Sequence, residues 1–472
     1  MNDSRDIWQL VEAKQEPLIA LSDRVWATPE LCYTETRSAA EHKAELERHG
    51  FRIAQGIAGI PTAMIGEAGD GGPVIAILGE YDALPGLSQE SGVTEPRPLE
   101  SGGNGHGCGH NLLGAGAMLA AVAVKDWLAS KGLKGRVRYY GCPAEEGGAA
   151  KTFMVRDGAF DDVDAAISWH PSSFCEVSPA VSLANTRIDF TFAGRASHAA
   201  ASPHLGRSAL DAAELMNVGV NYMREHMPSD ARIHYAMLDS GGIAPNVVQA
   251  RAKVRYSVRA RDLAGMHELV ERVRKVAQGA ALMTETTVKS EIISAVSNLL
   301  ANNPLEHAMN DVLQQLGPPP FDEADRSFAQ QIQATLSDQD IDNVYRSVGQ
   351  PRTEAPLCDR IIPLDAPRNL MRGSTDVGDV SWAIPTVQAH GAMMAIGTPL
   401  HTWQVVAQGK MPAAHKGMVH VAKVMAATAC KLLTDEALLS AAKADHQART
   451  ARAPYRCPIP DEVSPPLGMA RV

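Results

Sequence analysis

Three short apolar segments in the first half of the chain each end abruptly in polar or turn-forming residues. They read PVIAILGEYDALPG from Pro73, RVRYYGC from Arg136 and DAAISWHP from Asp164. Such runs are typical of strands buried on both faces of a parallel sheet. The alanine-rich segment 112–129 is predicted to be a helix packed against that sheet. This alternation predicts an α/β fold whose central, mostly parallel sheet is flanked by helices.

The middle of the chain has a different pattern. TRIDFTFAG alternates apolar and polar residues, as half-exposed strands do, and a helical stretch follows at 208–226. Two further strand candidates, a helical stretch at 263–282 and the strand candidate TTVKSEIISA complete the order β-α-β-β-α-β, which is that of a ferredoxin-like α+β unit. We therefore predict a catalytic domain in two parts, 1–183 and 297–472, with a domain of residues 184–296 inserted between them.

Composition excludes several classes of function. The 472 residues are too many for one ordinary core, and the net charge of −10 argues against a general nucleic-acid binder. No signal peptide and no uninterrupted apolar membrane span is recognisable, so we expect no membrane association. The seven cysteines are odd in number and scattered, which favours a reducing compartment. We expect a cytoplasmic protein.

A glycine-rich segment, GHGCGHN, carries the first candidate site residues. Cys108 and His110 lie two positions apart, so both can reach one point only if the backbone turns tightly. The intervening glycines permit such a turn. Thiolate, imidazole and carboxylate together are ligands of zinc or manganese. Two residues do not make a site, and a structural loop with a buried thiol is the alternative.

Two adjacent glutamates, Glu145 and Glu146, follow the second strand candidate and precede two glycines. Neighbouring side chains of an extended segment point in opposite directions. One carboxylate could therefore bind metal while the other faces a water, as a general base in metal-assisted hydrolysis does. A solvated surface pair is the alternative for an isolated Glu-Glu sequence.

Three histidines extend the candidate set. His170 lies at the end of the third strand candidate, His401 follows the apolar run AMMAI, and both would complete a Cys, His and Glu ligand set. Taken singly, each could equally be a hydrogen-bonded structural histidine. His198 lies in the inserted segment, where it could stabilise developing negative charge once the domains close, or simply occupy an exposed turn.

Six motifs together carry a family resemblance. They are GHGCGHN, PAEEGG, WHP, GRASHAA, GGIAPNVV and GTPLHT, in this order. From Trp26 to Pro460 the chain resembles the M20 family of metallopeptidases and amidohydrolases, and the cysteine-containing first motif resembles its subfamily D. The resemblance implies that the inserted segment is a lid and dimerisation domain.

The resemblance also implies roles for individual residues. Two divalent ions, Mn²⁺ or Zn²⁺, are expected to be bound by Cys108, His110, Glu146, His170 and His401. Glu145 matches the general base, and Asp82 the aspartate that supports the metal site. His198 matches a histidine that reaches the active site of the partner in a dimer. Asn246 and Arg259 match positions that bind the substrate, and a guanidinium suits its carboxylate.

The implied reaction is hydrolysis of the amide bond of a small N-acyl amino acid. The implied assembly is a homodimer, or a heterodimer with a paralogous chain, formed through the lid. A dipeptidase or aminoacylase is one alternative, and a non-catalytic or partner-dependent component of a heteromeric hydrolase is another. Two departures from the family leave the substrate open: GEYDALPG replaces RADMDALP, and the excursion at 316–369 exceeds compact relatives.

Overall fold

Eleven strands and fourteen α-helices make up the computed structural model, which describes residues 4–367 and 373–471. The strands are β1 Arg52–Gln55, β2 Met64–Asp70, β3 Val74–Glu80, β4 Gly135–Cys142, β5 Ala165–Ser172, β6 Glu176–Val177, β7 Ala184–Ala193, β8 Arg232–Asp239, β9 Arg251–Ala260, β10 Thr287–Val296 and β11 Thr386–Ala392. The helices are α1 Arg5–Ala13, α2 Gln15–Trp26, α3 Thr36–Arg48, α4 His110–Lys131, α5 Ala150–Arg156, α6 Ala209–Met223, α7 Leu263–Met283, α8 Asn303–Leu316, α9 Glu323–Gln333, α10 Asp338–Ser347, α11 Val377–Ala383, α12 Trp403–Gln408, α13 Pro412–Thr434 and α14 Glu436–Thr450.

A seven-stranded sheet forms the centre of the catalytic part, in the order β1-β2-β4-β3-β5-β11-β6. The four middle strands, β4, β3, β5 and β11, run parallel to one another. The outer pairings are antiparallel, namely those of β1 with β2, β2 with β4, and β6 with β11. The predicted α/β class is confirmed, with the parallel arrangement confined to the middle of a mixed sheet.

The sequence of helix α4 is apolar on every side because the helix is buried in the core. It packs against β3 and α13, and its first fifteen residues are buried. By length and composition α4 could cross a membrane, but 83% of its most apolar window is buried inside the fold. A helix that is apolar all round is the expected product of complete burial in a core.

Residues 184–296, called the lid below, form a second sheet in the order β10-β7-β9-β8, with all pairings antiparallel. Its chain order of β-α-β-β-α-β confirms the predicted ferredoxin-like topology. One face carries apolar residues such as Phe190 and Tyr256, which pack under α6 and α7. The boundaries 184 and 296 are the first residue of β7 and the last of β10; the division into folding units stays a prediction.

The excursion at 316–369 contains α9 and α10 and packs onto the core of the catalytic part through Ile332, Ile341 and Tyr345. Its last two residues lie outside the described ranges. The Gln333 side-chain amide donates to the Ile396 carbonyl at 2.9 Å, next to the loop that carries His401. The excursion therefore supports that loop from outside.

Candidate active site

The candidate site lies at the carboxyl ends of the parallel strands. In an open α/β sheet this edge is where ligands bind, because adjacent strands deliver their following loops to one place. A cavity of about 430 Å³ opens here between the sheet edge and the lid. Most of the residues singled out from the sequence line it: Cys108, Glu145, Glu146, His170, Arg259 and His401.

The glycine-rich turn positions Cys108 and starts α4. Gly109 has φ of 75°, in the left-handed region that glycine adopts without strain, and directly precedes the first residue of α4. The turn places Cys108 Sγ 3.3 Å from His170 Nε2, at the end of β5. His110 follows as the first helical residue and is fully buried.

His401 reaches the same point from the far end of the sequence. Its φ of 61° is left-handed, and its backbone N–H donates to the Gly107 carbonyl at 2.8 Å, which fixes it beside the turn. His401 Nε2 lies 3.4 Å from Glu146 Oε2. The apolar run before it was predicted to be a strand, but β11 ends at Ala392 and the rest of the run, 393–396, is a buried loop.

The five predicted metal ligands form one continuous cluster. Donor atoms of Cys108, His110 and His170 lie within 4.8 Å of one another, and so do those of Cys108, Glu146 and His401. Cys108 is common to both groups. Cys108 would therefore help to hold a metal ion in either group.

The residues present fit divalent metal ions. Among the described residues, the buried Glu146 Oε1 has no hydrogen-bond partner, which is costly unless a cation satisfies it. His110 Nε2 and Glu80 Oε2 also form no hydrogen bond, but they lie 3.3 Å apart and form an ion pair when His110 is protonated. Burial raises the pKa of the Cys108 thiol, and the Glu146 charge raises it further. A thiolate at this position needs a nearby cation. Sulfur, imidazole and carboxylate donors are the set that transition ions prefer.

Asp82 hydrogen-bonds to two parts of the ligand cluster, His110 and the loop that carries Glu146. Its Oδ1 accepts a hydrogen bond from His110 Nδ1 at 2.9 Å, and its Oδ2 accepts from the Glu146 backbone N–H at 2.9 Å. With Nδ1 donating to Asp82, Nε2 would be the His110 atom left to hold a metal ion. The second hydrogen bond holds the loop that carries both glutamates.

Glu145 lies in the cavity wall beside the ligands. Donor atoms of Glu145, Glu80 and His110 lie within 4.8 Å of one another. Burial raises the pKa of Glu145 well above its ordinary value, and the charges of Glu80 and Glu146 raise it further. A carboxyl group in this position can take a proton from a water and return it to a leaving group.

A buried ion-pair network next to the site was not predicted. Lys151 Nζ lies 2.6 Å from Glu80 Oε1 and 2.7 Å from Asp376 Oδ1, and all three side chains are buried. Glu80 could have been found, since it ends β3 in a segment already singled out. Lys151 and Asp376 are 225 residues apart, and no local pattern joins them.

The lid residues are divided between two places. Arg259 lines the cavity, whereas His198 and Asn246 do not line it. These two lie close together, because the Ala199 N–H donates to the Asn246 carbonyl at 2.9 Å. A single chain therefore brings Arg259, but neither His198 nor Asn246, to the metal cluster.

Known proteins resemble this chain in sequence and in fold. The model of peptidase family M20/M25/M40 matches residues 76–350. The chain is 48% identical to the B subunit of p-aminobenzoyl-glutamate hydrolase of Escherichia coli, over 98% of each chain. It is 30% identical to the A subunit of the same organism's hydrolase, over 54% of this chain and 62% of that one. Among solved structures, the YXEP protein of Bacillus subtilis, a dinuclear metal binding peptidase of the M20 family, shares the fold with a TM-score of 0.55 at 17% identity, over 88% of this chain and 98% of that one.

Proposed function

Since this chain belongs to peptidase family M20/M25/M40, a family of metal-dependent hydrolases of amide bonds, we propose that it converts p-aminobenzoyl-glutamate to p-aminobenzoate and glutamate. The observation that carries the proposal is the complete cluster of five donor side chains around Cys108, in a chain similar from end to end to a component of a hydrolase of that substrate. A vestigial site in a non-catalytic component would not need all five.

The chain's own residues divide the work of hydrolysis. Divalent ions, when bound, polarise the scissile carbonyl and lower the pKa of water. Glu145 takes a proton from the attacking water on its carboxylate oxygen and returns it to the leaving amide nitrogen. Asp82 keeps His110 and the Glu146 loop in place throughout. Arg259 binds a carboxylate of the substrate in the cavity.

The two ions are proposed to be Mn²⁺ or Zn²⁺. The Cys108 thiolate favours zinc, whereas the carboxylate of Glu146 also suits manganese. Elemental analysis of the purified chain distinguishes them.

We further propose that the lid forms a dimer, either with a second copy or with a paralogous chain. β8 is an edge strand of the lid sheet, and Tyr235 and Met237 on it are exposed, as is Tyr222 on α6 at 73%. An unpaired strand edge beside exposed apolar side chains suits pairing with another lid. In such a dimer His198 and Asn246 would complete the partner's active site, where His198 would steady negative charge on the carbonyl oxygen.

The activity is tested with the chain purified alone and supplied with Mn²⁺ or Zn²⁺. We expect release of p-aminobenzoate and glutamate from p-aminobenzoyl-glutamate. Activity that appears only after a paralogous chain resembling the Escherichia coli A subunit is added would instead establish a partner-dependent component. Hydrolysis of other N-acyl amino acids or dipeptides without hydrolysis of this substrate would contradict the proposal.

The shared site is tested by co-expressing Glu145→Gln and His198→Ala chains. Each variant alone is expected to be nearly inactive. In a homodimer that exchanges His198, random pairing restores about a quarter of the wild-type activity, since half of the dimers are mixed and each has one intact site. The exposed lid residue His204 supplies the control, because His204→Ala should retain full activity alone. No recovery in the mixture would contradict sites shared across a homodimer.

We also propose a cytoplasmic location. All seven cysteines are free, and five are buried, which suits a reducing compartment. Fractionation of cells that produce the chain from its own gene tests this proposal.

A further inference from the structure

The lid wall of the cavity contains an unusual pair of positive charges. Arg187 on β7 and Arg259 on β9 both line the cavity. In the strand register Arg187 lies opposite Ser257, and Asn185 lies opposite Arg259. The two arginines are therefore diagonal neighbours on one face of the sheet, a distance that long side chains easily span. We call Asn185, Arg187 and Arg259 the lid wall.

The same face contains a neutralised cluster for comparison. Asp189 lies 2.7 Å from both Lys253 Nζ and Arg255 Nε. Within residues 4–367 and 373–471, neither Arg187 nor Arg259 forms an ion pair, and Arg259 Nε is buried without a hydrogen-bond partner. Burial lowers the pKa of both guanidinium groups, and the Arg259 charge further lowers that of Arg187. Two like charges are thus held near each other, partly buried and without an ion-pair partner among the described residues, and the charge of Glu145 offsets only part of that of Arg187.

Arg187 is also held firmly in place. Its Nη1 donates to the Gly147 carbonyl at 3.0 Å, and its Nη2 donates to the Glu146 carbonyl at 3.3 Å. A Cβ at position 147 would lie 2.2 Å from Nη1, so the glycine after the two glutamates is what admits the guanidinium. A guanidinium has five N–H donors. Two are used by these carbonyls, which leaves others available to a ligand in the cavity.

Asn185 adds a neutral donor between the two charges. Its Oδ1 accepts a hydrogen bond from Ser257 Oγ at 2.8 Å, which orients the amide. Its NH₂ group remains to donate on a wall that the cavity adjoins. The lid wall therefore presents only donors, two of them charged.

We propose that Arg187 and Arg259 together form a dicarboxylate site, in which each guanidinium takes one carboxylate of the amino acid being released. The inference rests on the proposed function and deepens it, because it makes an acidic amino acid the preferred leaving group. Partly buried cations without partners gain most from a ligand that neutralises both. A monocarboxylate leaves one of them unpaired, and a basic side chain is repelled.

The test uses three substrates that differ only in charge: p-aminobenzoyl-glutamate, its γ-amide p-aminobenzoyl-glutamine, and the corresponding α-amide. We expect the wild-type chain to prefer the dicarboxylate over each amide by roughly 10- to 100-fold in kcat/KM, the size of one charge-assisted hydrogen-bonded pair. Arg187→Gln should abolish the preference for the dicarboxylate over one of the two amides. Arg259→Gln should abolish the preference over the other amide. Arg187→Lys, which keeps the charge, should restore part of what Arg187→Gln loses.

Arg255→Gln is the matched control, since Arg255 lies on the same sheet face but is paired with Asp189 and is absent from the cavity wall. Both preferences should persist in that variant. If Arg187→Gln slows all three substrates equally, Arg187 only holds the Glu146 loop, and the inference is overturned. An unchanged preference in both arginine variants would overturn it too.

Direct binding separates this inference from the proposed function. Calorimetry of the wild-type chain should show glutarate binding roughly 10- to 100-fold more tightly than glutaramate, which has one carboxylate replaced by an amide. Arg187→Gln should remove that difference. This result without any hydrolysis would uphold the dicarboxylate site while refuting the hydrolase proposal. Equal affinities of the two ligands in the wild-type chain would refute the dicarboxylate site even if hydrolysis occurs.

Discussion

The two walls of the cavity differ in the charge of the ligand that each can bind. The catalytic wall, formed by Cys108, Glu145, Glu146, His170 and His401, gathers acidic and metal-binding donors, among them a buried Glu146 oxygen that lacks a partner. The lid wall gathers two guanidinium groups that form no ion pair within the described residues. The catalytic wall can therefore bind cations, and the lid wall can bind anions. A substrate with a reactive amide at one end and carboxylates at the other is oriented by this polarity alone.

The largest expected effect concerns Glu145 and His170 on the catalytic wall. Their variants distinguish loss of proton transfer from loss of metal binding. Glu145→Gln removes the base but no predicted ligand, so kcat should fall about 10²- to 10⁴-fold while metal content stays unchanged. His170→Ala should lose both metal and turnover. Steady-state kinetics and elemental analysis of the two variants measure this. A Glu145→Gln chain that turns over at the wild-type rate would show the base to be wrongly assigned.

The next effect concerns the network behind the catalytic wall. Lys151→Met leaves Glu80 and Asp376 buried without their cation, and should lower the free energy of unfolding by about 3–5 kcal/mol. The exposed pair of Lys134 with Asp70 supplies the control, since solvent screens it and Lys134→Met should leave the free energy of unfolding almost unchanged. Urea unfolding compares the two. Equal losses would mean that burial of the network contributes nothing.

A smaller effect is expected where one carboxylate supports two neighbours. Asp82→Asn weakens the orientation of His110 and of the Glu146 loop without removing a ligand, so metal affinity should fall about 10- to 100-fold. Competition with a chromophoric chelator measures the affinity. The same affinity in Asp82→Asn and wild type would show that the cluster is positioned by its turns alone.

The smallest expected effect concerns the buried His42, in the core beneath the catalytic wall. His42 lies away from the unpaired groups of the catalytic wall and of the lid wall. Burial lowers the pKa of His42 to about 3, and its Nδ1 accepts a hydrogen bond from the Tyr139 hydroxyl at 2.7 Å. Below a pH of about 6.5 the His42 side chain binds a proton in the unfolded chain but stays neutral in the folded chain. The stability that depends on neutral His42 is therefore complete above that pH and declines as the pH falls towards 3.

His42→Asn keeps an acceptor for Tyr139 but does not titrate. Between about pH 6 and 4 its free energy of unfolding should fall less steeply than that of the wild type, by at most about 1.4 kcal/mol per pH unit. Identical slopes in the His42 variant and the wild type would contradict a neutral buried His42.

The sequence predicts the catalytic wall better than the lid wall, for a physical reason. Ligands such as Cys108 and His170 lie in a glycine-rich turn or near the end of a buried strand, and parallel strands deliver such residues to one edge. Arg187 was missed because it lies in the middle of an alternating strand, where only the register with β9 reveals its unpaired neighbour Arg259. Lys151 was missed because its anionic partner Asp376 is remote in sequence. The individual ligand roles came from the family resemblance rather than from spacing.

The pattern of apolar runs predicted the sheet only in part. The middle strands β3, β4 and β5 end where expected, but nothing in their composition shows that β2 joins β4 antiparallel. The run before His401 is as apolar as a strand because it is buried, although β11 has already ended. Burial can be read from composition, whereas strand pairing depends on contacts between distant segments.

Hydrolysis is proposed to depend on divalent ions held by the catalytic wall. The most direct test is elemental analysis of the purified chain, combined with p-aminobenzoyl-glutamate hydrolysis before and after exhaustive chelation. We expect two transition ions per chain, loss of turnover on their removal and recovery when Mn²⁺ or Zn²⁺ is returned. A chain without bound transition ions that hydrolyses the substrate undiminished after chelation would contradict it.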